Sequence, residues 1–186
     1  MDAVKLLLER VSAVKLQEPG PTAAELDTIL QSALRAPDHG RLRPWHFVVI
    51  SGEQRTRFGK LLAEAFKARE PGATAEMMAR EQQKALRAPL IIVVVARVKP
   101  SEKVPEVEQI VSAGAAAEHI MLAAQALNYG AMWRTGAPAY DRSIKEGLGL
   151  HSGDAIVGII YIGTSALAPR ESARLELADF VTTWHG

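Results

Sequence analysis

The sequence predicts an α+β fold in which helices cover both faces of a small β-sheet. Two apolar, β-branched runs, at 90–96 and 155–162, lack alternating polar residues and therefore indicate strands buried on both faces. The alanine-rich segment 106–129 predicts a long helix that packs closely against its neighbours. A chain of 186 residues suits one domain, and we expect residues 1–186 to form it.

Helix start and stop signals divide the N-terminal half of the chain. Asp2 is a suitable N-cap for a helix over residues 2–11. Thr22 and Glu25 form a capping box that begins a second helix, which ends before Pro37. Further along, the pattern predicts a strand at 45–50, a helix that ends near residue 69 and a helix at 74–87.

The C-terminal half is organised around the predicted helix 106–129. Its small residues suit the centre of the fold or a subunit interface, where backbones approach each other closely. Gly130 suits the C′ position that ends this helix. A short helix near 141–148 then leads to the strand at 155–162, and the tail 165–186 is predicted to be irregular.

Composition excludes several classes of protein. The formal net charge of +1 provides no basic field for nucleic acid. The absence of cysteine excludes disulfides, thiolate zinc sites and iron–sulfur clusters. The longest apolar runs, about seven residues, are far shorter than a membrane span, and the N-terminus lacks the apolar core of a signal peptide. We therefore expect a cytoplasmic protein with no nucleic-acid or membrane partner.

Motifs for common chemistries are absent from the sequence, including the P-loop, G-x-S-x-G and H-E-x-x-H. The five histidines show no metal-ligand spacing, so no metal site is expected, and His46 and His119 are predicted to be structural. The glycines between Gly147 and Gly153 approximate a dinucleotide fingerprint, but the third is displaced and no strand precedes them. They predict the end of a helix.

Basic and hydroxyl side chains recur where predicted elements end. They are Arg10 and Ser12 after the first helix, Arg35 at the end of the second, the loop 38–43, and Arg134 and Thr135 after the long helix. Guanidinium groups beside hydroxyls can hold a phosphate through bidentate, charge-assisted hydrogen bonds. An arginine near a helix C-terminus also complements the helix dipole without any ligand. The residues alone predict candidate anion sites and leave both interpretations open.

Four segments, in order along the chain, resemble the signature stretches of the nitroreductase family. They are Arg10-x-Ser12, the A-P and P-W-x-F pairs within 36–47, the G-x-x-W turn within 127–136, and the closing strand with its glycine at 161–164. The resemblance spans nearly the whole chain, whose short length is similar to that of the small YdjA-like members of the family. It implies a nitroreductase-like, flavin-binding α/β/α sandwich with a central, mostly antiparallel sheet flanked by helices.

The resemblance also implies a homodimer with two molecules of flavin mononucleotide (FMN) at the subunit interface. The implied flavin ligands are Arg10, Val11 and Ser12 of one subunit, Arg35 and His39 of the other, and Trp133, Arg134 and Thr135, acting largely through main-chain groups and the Arg134 charge. Arg170 is a further candidate for contact with the phosphate.

The activity implied by the resemblance is FMN-dependent NAD(P)H oxidoreduction. Electrons would pass to electron-poor small molecules, such as nitroaromatics or quinones, by a ping-pong mechanism. Because the cofactor carries the redox chemistry, no catalytic residue is expected. The alternatives are an FMN-binding carrier or sensor with little reductase activity, and a structural dimer without cofactor.

The loop before Pro44 departs from the pattern of the family. Many relatives have N-x-Q where this chain has Arg41-Leu42-Arg43, and Val11 stands in place of the second arginine of the common R-R-S. Arg41 and Arg43 indicate either an anionic substrate or solvated loop charges.

Overall fold

A computed structural model describes residues 2–168 and 175–186 as helices packed around one antiparallel sheet. The α-helices are α1 (Ala3–Glu9), α2 (Ala23–Ala33), α3 (Gln54–Arg69), α4 (Ala75–Gln83), α5 (Glu106–Ala126), α6 (Ala137–Tyr140) and α7 (Arg142–Gly147). The strands are β1 (Leu16–Gln17), β2 (Trp45–Ser51), β3 (Leu90–Ala96), β4 (Gly130–Arg134) and β5 (Ala155–Ser165). Single 3₁₀ turns occur at His39–Arg41, Lys84–Leu86 and Leu177–Asp179.

The sheet has the order β1-β5-β3-β2, and β4 pairs with β5 beside β1. Each of these pairs is antiparallel, so the mostly antiparallel sheet that the family resemblance implied is confirmed. β3 lies between β2 and β5, and all of its residues are buried. This burial explains why its sequence is a continuous apolar run without alternation.

Two apolar cores lie on opposite faces of the sheet. Odd-numbered residues of β3 from 91 to 95 pack with Phe58 of α3 and Ile144 of α7. Even-numbered residues from 90 to 94 pack with Ile29 of α2 and Ile120 of α5. The predicted α+β sandwich with helices on both faces is therefore confirmed.

Local signals placed the starts of α1 and α2 correctly, whereas α6 was not predicted. The Asp2 side chain accepts from Lys5 N at 3.0 Å and caps α1. The capping box of α2 is present, with Glu25 N donating to Thr22 Oγ1 and Thr22 N donating to Glu25 Oε2. α1 ends at Glu9, earlier than predicted, and the predicted helix 74–87 consists of α4 and one 3₁₀ turn.

The prediction for Gly130 was wrong. The long helix ends at Ala126, and Asn128 adopts the left-handed conformation with φ 66°. Gly130 instead begins β4, a strand where the sequence pattern indicated only a turn. A Cβ atom at Gly130 would lie 2.7 Å from Ala13 Cβ and 2.8 Å from Leu16 Cδ2, so close chain approach requires glycine here.

Across residues 2–168 and 175–186, no helix has both the length and the apolar character needed to cross a bilayer. The same ranges contain no group of three side chains arranged as candidate metal ligands.

Candidate cofactor-binding site

Arg10 lies where α1 ends, and one edge of its guanidinium group forms an ion pair with Glu118. Its Nε atom lies 3.1 Å from Glu118 Oε1 on α5. Its Nη1 atom is buried and has no hydrogen-bond partner among the described residues. A buried charged donor without an acceptor costs on the order of 1–3 kcal/mol or more. This arrangement suits an acceptor that residues 2–168 and 175–186 do not supply.

The segment that carries Arg10 and Ser12 lies against β4. Ala13 N donates to Ala131 O at 2.9 Å, which ties the residue after Ser12 to this strand. Trp133 is two residues beyond Ala131 on the same strand. The structure thus brings two of the three predicted groups of flavin ligands into one region of one chain.

The Trp133 side chain contacts the neighbouring strand β5. Its Nε1 atom donates to Val157 O at 3.2 Å, and a Cβ atom at Gly158 would clash with Nε1. The indole N–H is therefore engaged within the protein. Arg134 and Thr135 are exposed at the point where β4 ends.

Arg35 lies just beyond the end of α2, and His39 lies in the loop that follows. Arg35 is exposed just beyond α2, and His39 Nδ1 lies 2.6 Å from Glu108 Oε2 of α5. Glu108 and Glu118 are ten residues apart, which corresponds to about 15 Å along a helix axis. Within one chain, His39 and Arg10 are therefore held at separate points along α5.

The loop at 38–43 has an unusual backbone. Gly40, Arg41 and Arg43 have φ angles of 72°, 54° and 48°. Arginine in this left-handed region costs roughly 1–3 kcal/mol. The sequence drew attention to both arginines but gave no signal for their backbone conformation.

The loop is nevertheless anchored on both sides. Arg43 N donates to the Asp38 carboxylate at 2.7 Å, and Lys99 Nζ donates to Leu42 O at 2.6 Å. Ser112 of α5 donates to Pro37 O at 2.7 Å. The first bond closes the loop on itself, and the other two attach it to the segment before α5 and to α5.

Glu108 and Glu118 were missed by the sequence reasoning. They hold His39 and Arg10, respectively, so they position two of the predicted flavin ligands. A signal was present for Glu118, the one carboxylate between residues 109 and 126 in a stretch of mainly small and apolar residues. Arg170 lies outside the described residues.

The two histidines that were predicted to be structural make internal contacts. His119 Nδ1 lies 2.9 Å from Ser32 O, which joins α5 to α2. Burial lowers the pKa of His46 below its ordinary value, and the nearby Arg97 charge lowers it further. The His46 ring is therefore neutral at neutral pH.

Comparison with known proteins identifies the family. The model of the nitroreductase family matches residues 8–164, which include all eight predicted flavin ligands. The chain belongs to the nitroreductase family. The predicted resemblance and the prediction of an oxidoreductase enzyme of this type are therefore confirmed.

Relatives of this nitroreductase cover its full length. YdjA of Escherichia coli K12, assigned as an NAD(P)H nitroreductase, is 41% identical over 98% of this chain and 99% of its own. A nitroreductase-like protein from Bacillus cereus has a similar structure, with 25% identity, a TM-score of 0.85, and coverage of 100% and 97% of the two chains. A Desulfovibrio desulfuricans structure in complex with FMN has a TM-score of 0.76 at 22% identity, covering 98% of this chain and 96% of its own. The predicted nitroreductase-like fold is confirmed.

Proposed function

We propose that the protein is an FMN-dependent NAD(P)H oxidoreductase that reduces electron-poor small molecules, such as nitroaromatics or quinones. The observation that carries this proposal is the buried Arg10 Nη1 donor, which lacks a partner among the described residues. It occurs in a motif of the nitroreductase family, beside the strand that leads to Arg134 and Thr135. A cofactor phosphate is an acceptor of the right charge for this position.

The residues of the site fit the chemistry of FMN. A phosphate dianion that is partly shielded from water needs more than one cation, and Arg10, Arg35 and Arg134 are available. We assign Ser12 and Thr135 as hydroxyl donors and Val11, Trp133 and His39 as contacts of the flavin. The FMN bound in the Desulfovibrio structure supports the choice of cofactor.

The proposed reaction is a two-electron transfer. NAD(P)H supplies a hydride and solvent supplies one proton, so that a quinone leaves as the hydroquinone and NAD(P)⁺ is released. FMN, when bound, supplies the redox chemistry that links the two half-reactions. The residues of the chain bind and orient the cofactor, and none of them is required to act as a general acid or base.

We further propose that the enzyme is a homodimer. α1 has no buried residue, and its Val4, Leu7 and Leu8 side chains are 60–71% exposed. Val107 and Val111 on the outer face of α5 are also more than 60% exposed. A second copy that covers these apolar side chains would remove them from water. The second copy would also bring its own Arg35 and His39 to the site that contains Arg10 of the first copy.

The shared site predicts complementation between two defective subunits. Arg10→Ala and Arg35→Ala homodimers should each bind FMN weakly. A heterodimer with one subunit of each kind should recover one intact site, because one subunit supplies Arg10 and the other supplies Arg35. FMN bound per dimer, measured on differentially tagged and purified heterodimers, should be about half that of wild type. If both arginines served the same subunit, neither site would be intact and no binding would return.

Anaerobic reduction tests the function. The purified protein should be yellow, and NADH or NADPH should bleach it before a quinone or nitroarene restores the colour. A yellow protein that neither coenzyme bleaches would instead be an FMN carrier or sensor. A protein that takes up no FMN would exclude both functions.

A further inference from the structure

We infer that the loop 38–43 is an oxyanion-recognition element, in which Arg41 and Arg43 select a molecule that exchanges electrons with the enzyme. This inference rests on the proposed function, because the loop matters to catalysis only if Arg35 and His39 border the cofactor. The ligand chemistry is a carboxylate or phosphate group on a small molecule. It could be carried by the electron acceptor or by the coenzyme, as the 2′-phosphate of NADPH.

The backbone conformation of the loop is the first observation. Arg41 and Arg43 adopt φ angles of 54° and 48°, a region that favours glycine and, less strongly, asparagine. Arginine offers no local advantage there, because its side chain does not relieve the backbone strain. Strained positions of this kind cluster at binding sites, where the surrounding structure holds them in place.

The anchoring of the loop is the second observation. The Asp38 carboxylate accepts from Arg43 N, Lys99 Nζ donates to Leu42 O, and His39 is held by Glu108. The first bond closes the loop on itself and the other two join it to other elements, but none of them engages either guanidinium group. The two cations are therefore presented from a fixed backbone rather than from a freely moving one.

The free charge of the two arginines is the third observation. None of the ion pairs among residues 2–168 and 175–186 includes Arg41 or Arg43, and both residues are exposed. The nearest acidic residues along the chain and in contact with the loop are already engaged, Asp38 by a backbone N–H and Glu108 by His39. Two guanidinium groups that form no ion pair within the described part of the chain can bind one oxyanion through several parallel hydrogen bonds.

Direct binding to the FMN-loaded protein tests this inference without electron transfer. Isothermal titration calorimetry would compare 4-nitrobenzoate with its neutral analogue 4-nitrobenzamide, and NADP⁺ with NAD⁺. We expect 4-nitrobenzoate to bind about tenfold or more tightly than 4-nitrobenzamide, or NADP⁺ to bind about tenfold or more tightly than NAD⁺, or both. The preference should weaken as salt is added, because both arginines are exposed.

The decisive variant is Arg41→Asn/Arg43→Asn, which removes both charges but keeps residues that tolerate a left-handed backbone. In this variant, the ratio of affinities for the more anionic and the less charged ligand should fall about tenfold. The variant should unfold at no lower urea concentration than wild type. Arg57→Gln, which removes an exposed charge from α3, is the matched control and should keep the preference. Loss for nitrobenzoate identifies the acceptor as the source of the oxyanion, and loss for NADP⁺ identifies the coenzyme.

Equal preferences in wild type and in the asparagine variant would overturn the inference, as would the absence of any preference in wild type. Failure of the proposed function gives a different result. A protein that binds anions through Arg41 and Arg43 but is not bleached by NAD(P)H would retain the recognition element and lose the assigned reaction.

Discussion

Replacing Arg10 with alanine is expected to weaken FMN binding by about 10- to 100-fold. Under the proposed site, the variant would lose charge-assisted hydrogen bonds to the FMN phosphate, including one from the buried Nη1 donor. The fold should survive, because the Glu118 side chain is 42% exposed and water can solvate its carboxylate after Arg10 is removed. The dissociation constant is measured by titrating apoprotein into FMN and following the loss of flavin fluorescence.

Arg142→Ala is the matched control for this prediction. It makes the same change in charge on α7, where Arg142 is 85% exposed and pairs only with Glu146 among the described residues. It should leave FMN affinity unchanged. If Arg10→Ala bound FMN as tightly as the control, Arg10 would serve only as the structural partner of Glu118, and the assigned site would be wrong.

Gly130→Val is expected to lower the free energy of unfolding by about 1–3 kcal/mol. The added Cβ would lie 2.7 Å from Ala13 Cβ, and this atom is fixed directly to the backbone. Relief therefore requires the segment around Ala13 to move away from β4, which strains the bond from Ala13 N to Ala131 O. Valine itself favours strands, so an unfavourable strand propensity cannot cause the loss. Urea unfolding at a fixed protein concentration measures the change.

Two further measurements connect this substitution with the site. FMN affinity should also fall, because Ser12 immediately precedes the displaced Ala13. Gly153→Val provides the control, since a Cβ atom at this exposed position meets nothing within 4 Å. If Gly130→Val and Gly153→Val unfolded at the same urea concentration, close packing of the two segments would not explain why Gly130 is glycine.

Much of the fold could be predicted because its signals are local. The runs at 90–96 and 155–162 are apolar and β-branched, and both lie in β-strands of the sheet. The Thr22–Glu25 capping box marked the start of α2 because both partners lie within one turn. β1 and β4 were missed, since strands of two and five residues depend on pairing with β5 rather than on a pattern of their own.

The candidate site was predicted from motifs, and its geometry was not. Arg10, Ser12, Arg35 and His39 stood out through the resemblance to the family. The carboxylates that hold Arg10 and His39 did not stand out. Glu118, which holds Arg10, lies more than a hundred residues beyond it in the sequence. The indole of Trp133 is likewise held by Val157 and Gly158, which only the pairing of β4 with β5 brings beside it.

By itself, the sequence determined the two buried strands, the capped helices and membership of the nitroreductase family. Each of these depends on residue types in a fixed local order. Only the tertiary structure decided that Gly130 is a point of close chain approach and that Arg41 and Arg43 extend from left-handed backbone. It also decided that Arg10 has a buried donor with no partner among the residues that the structure describes. Those properties arise from contacts between distant segments, whose packing sets distances and backbone angles that no single stretch of sequence encodes.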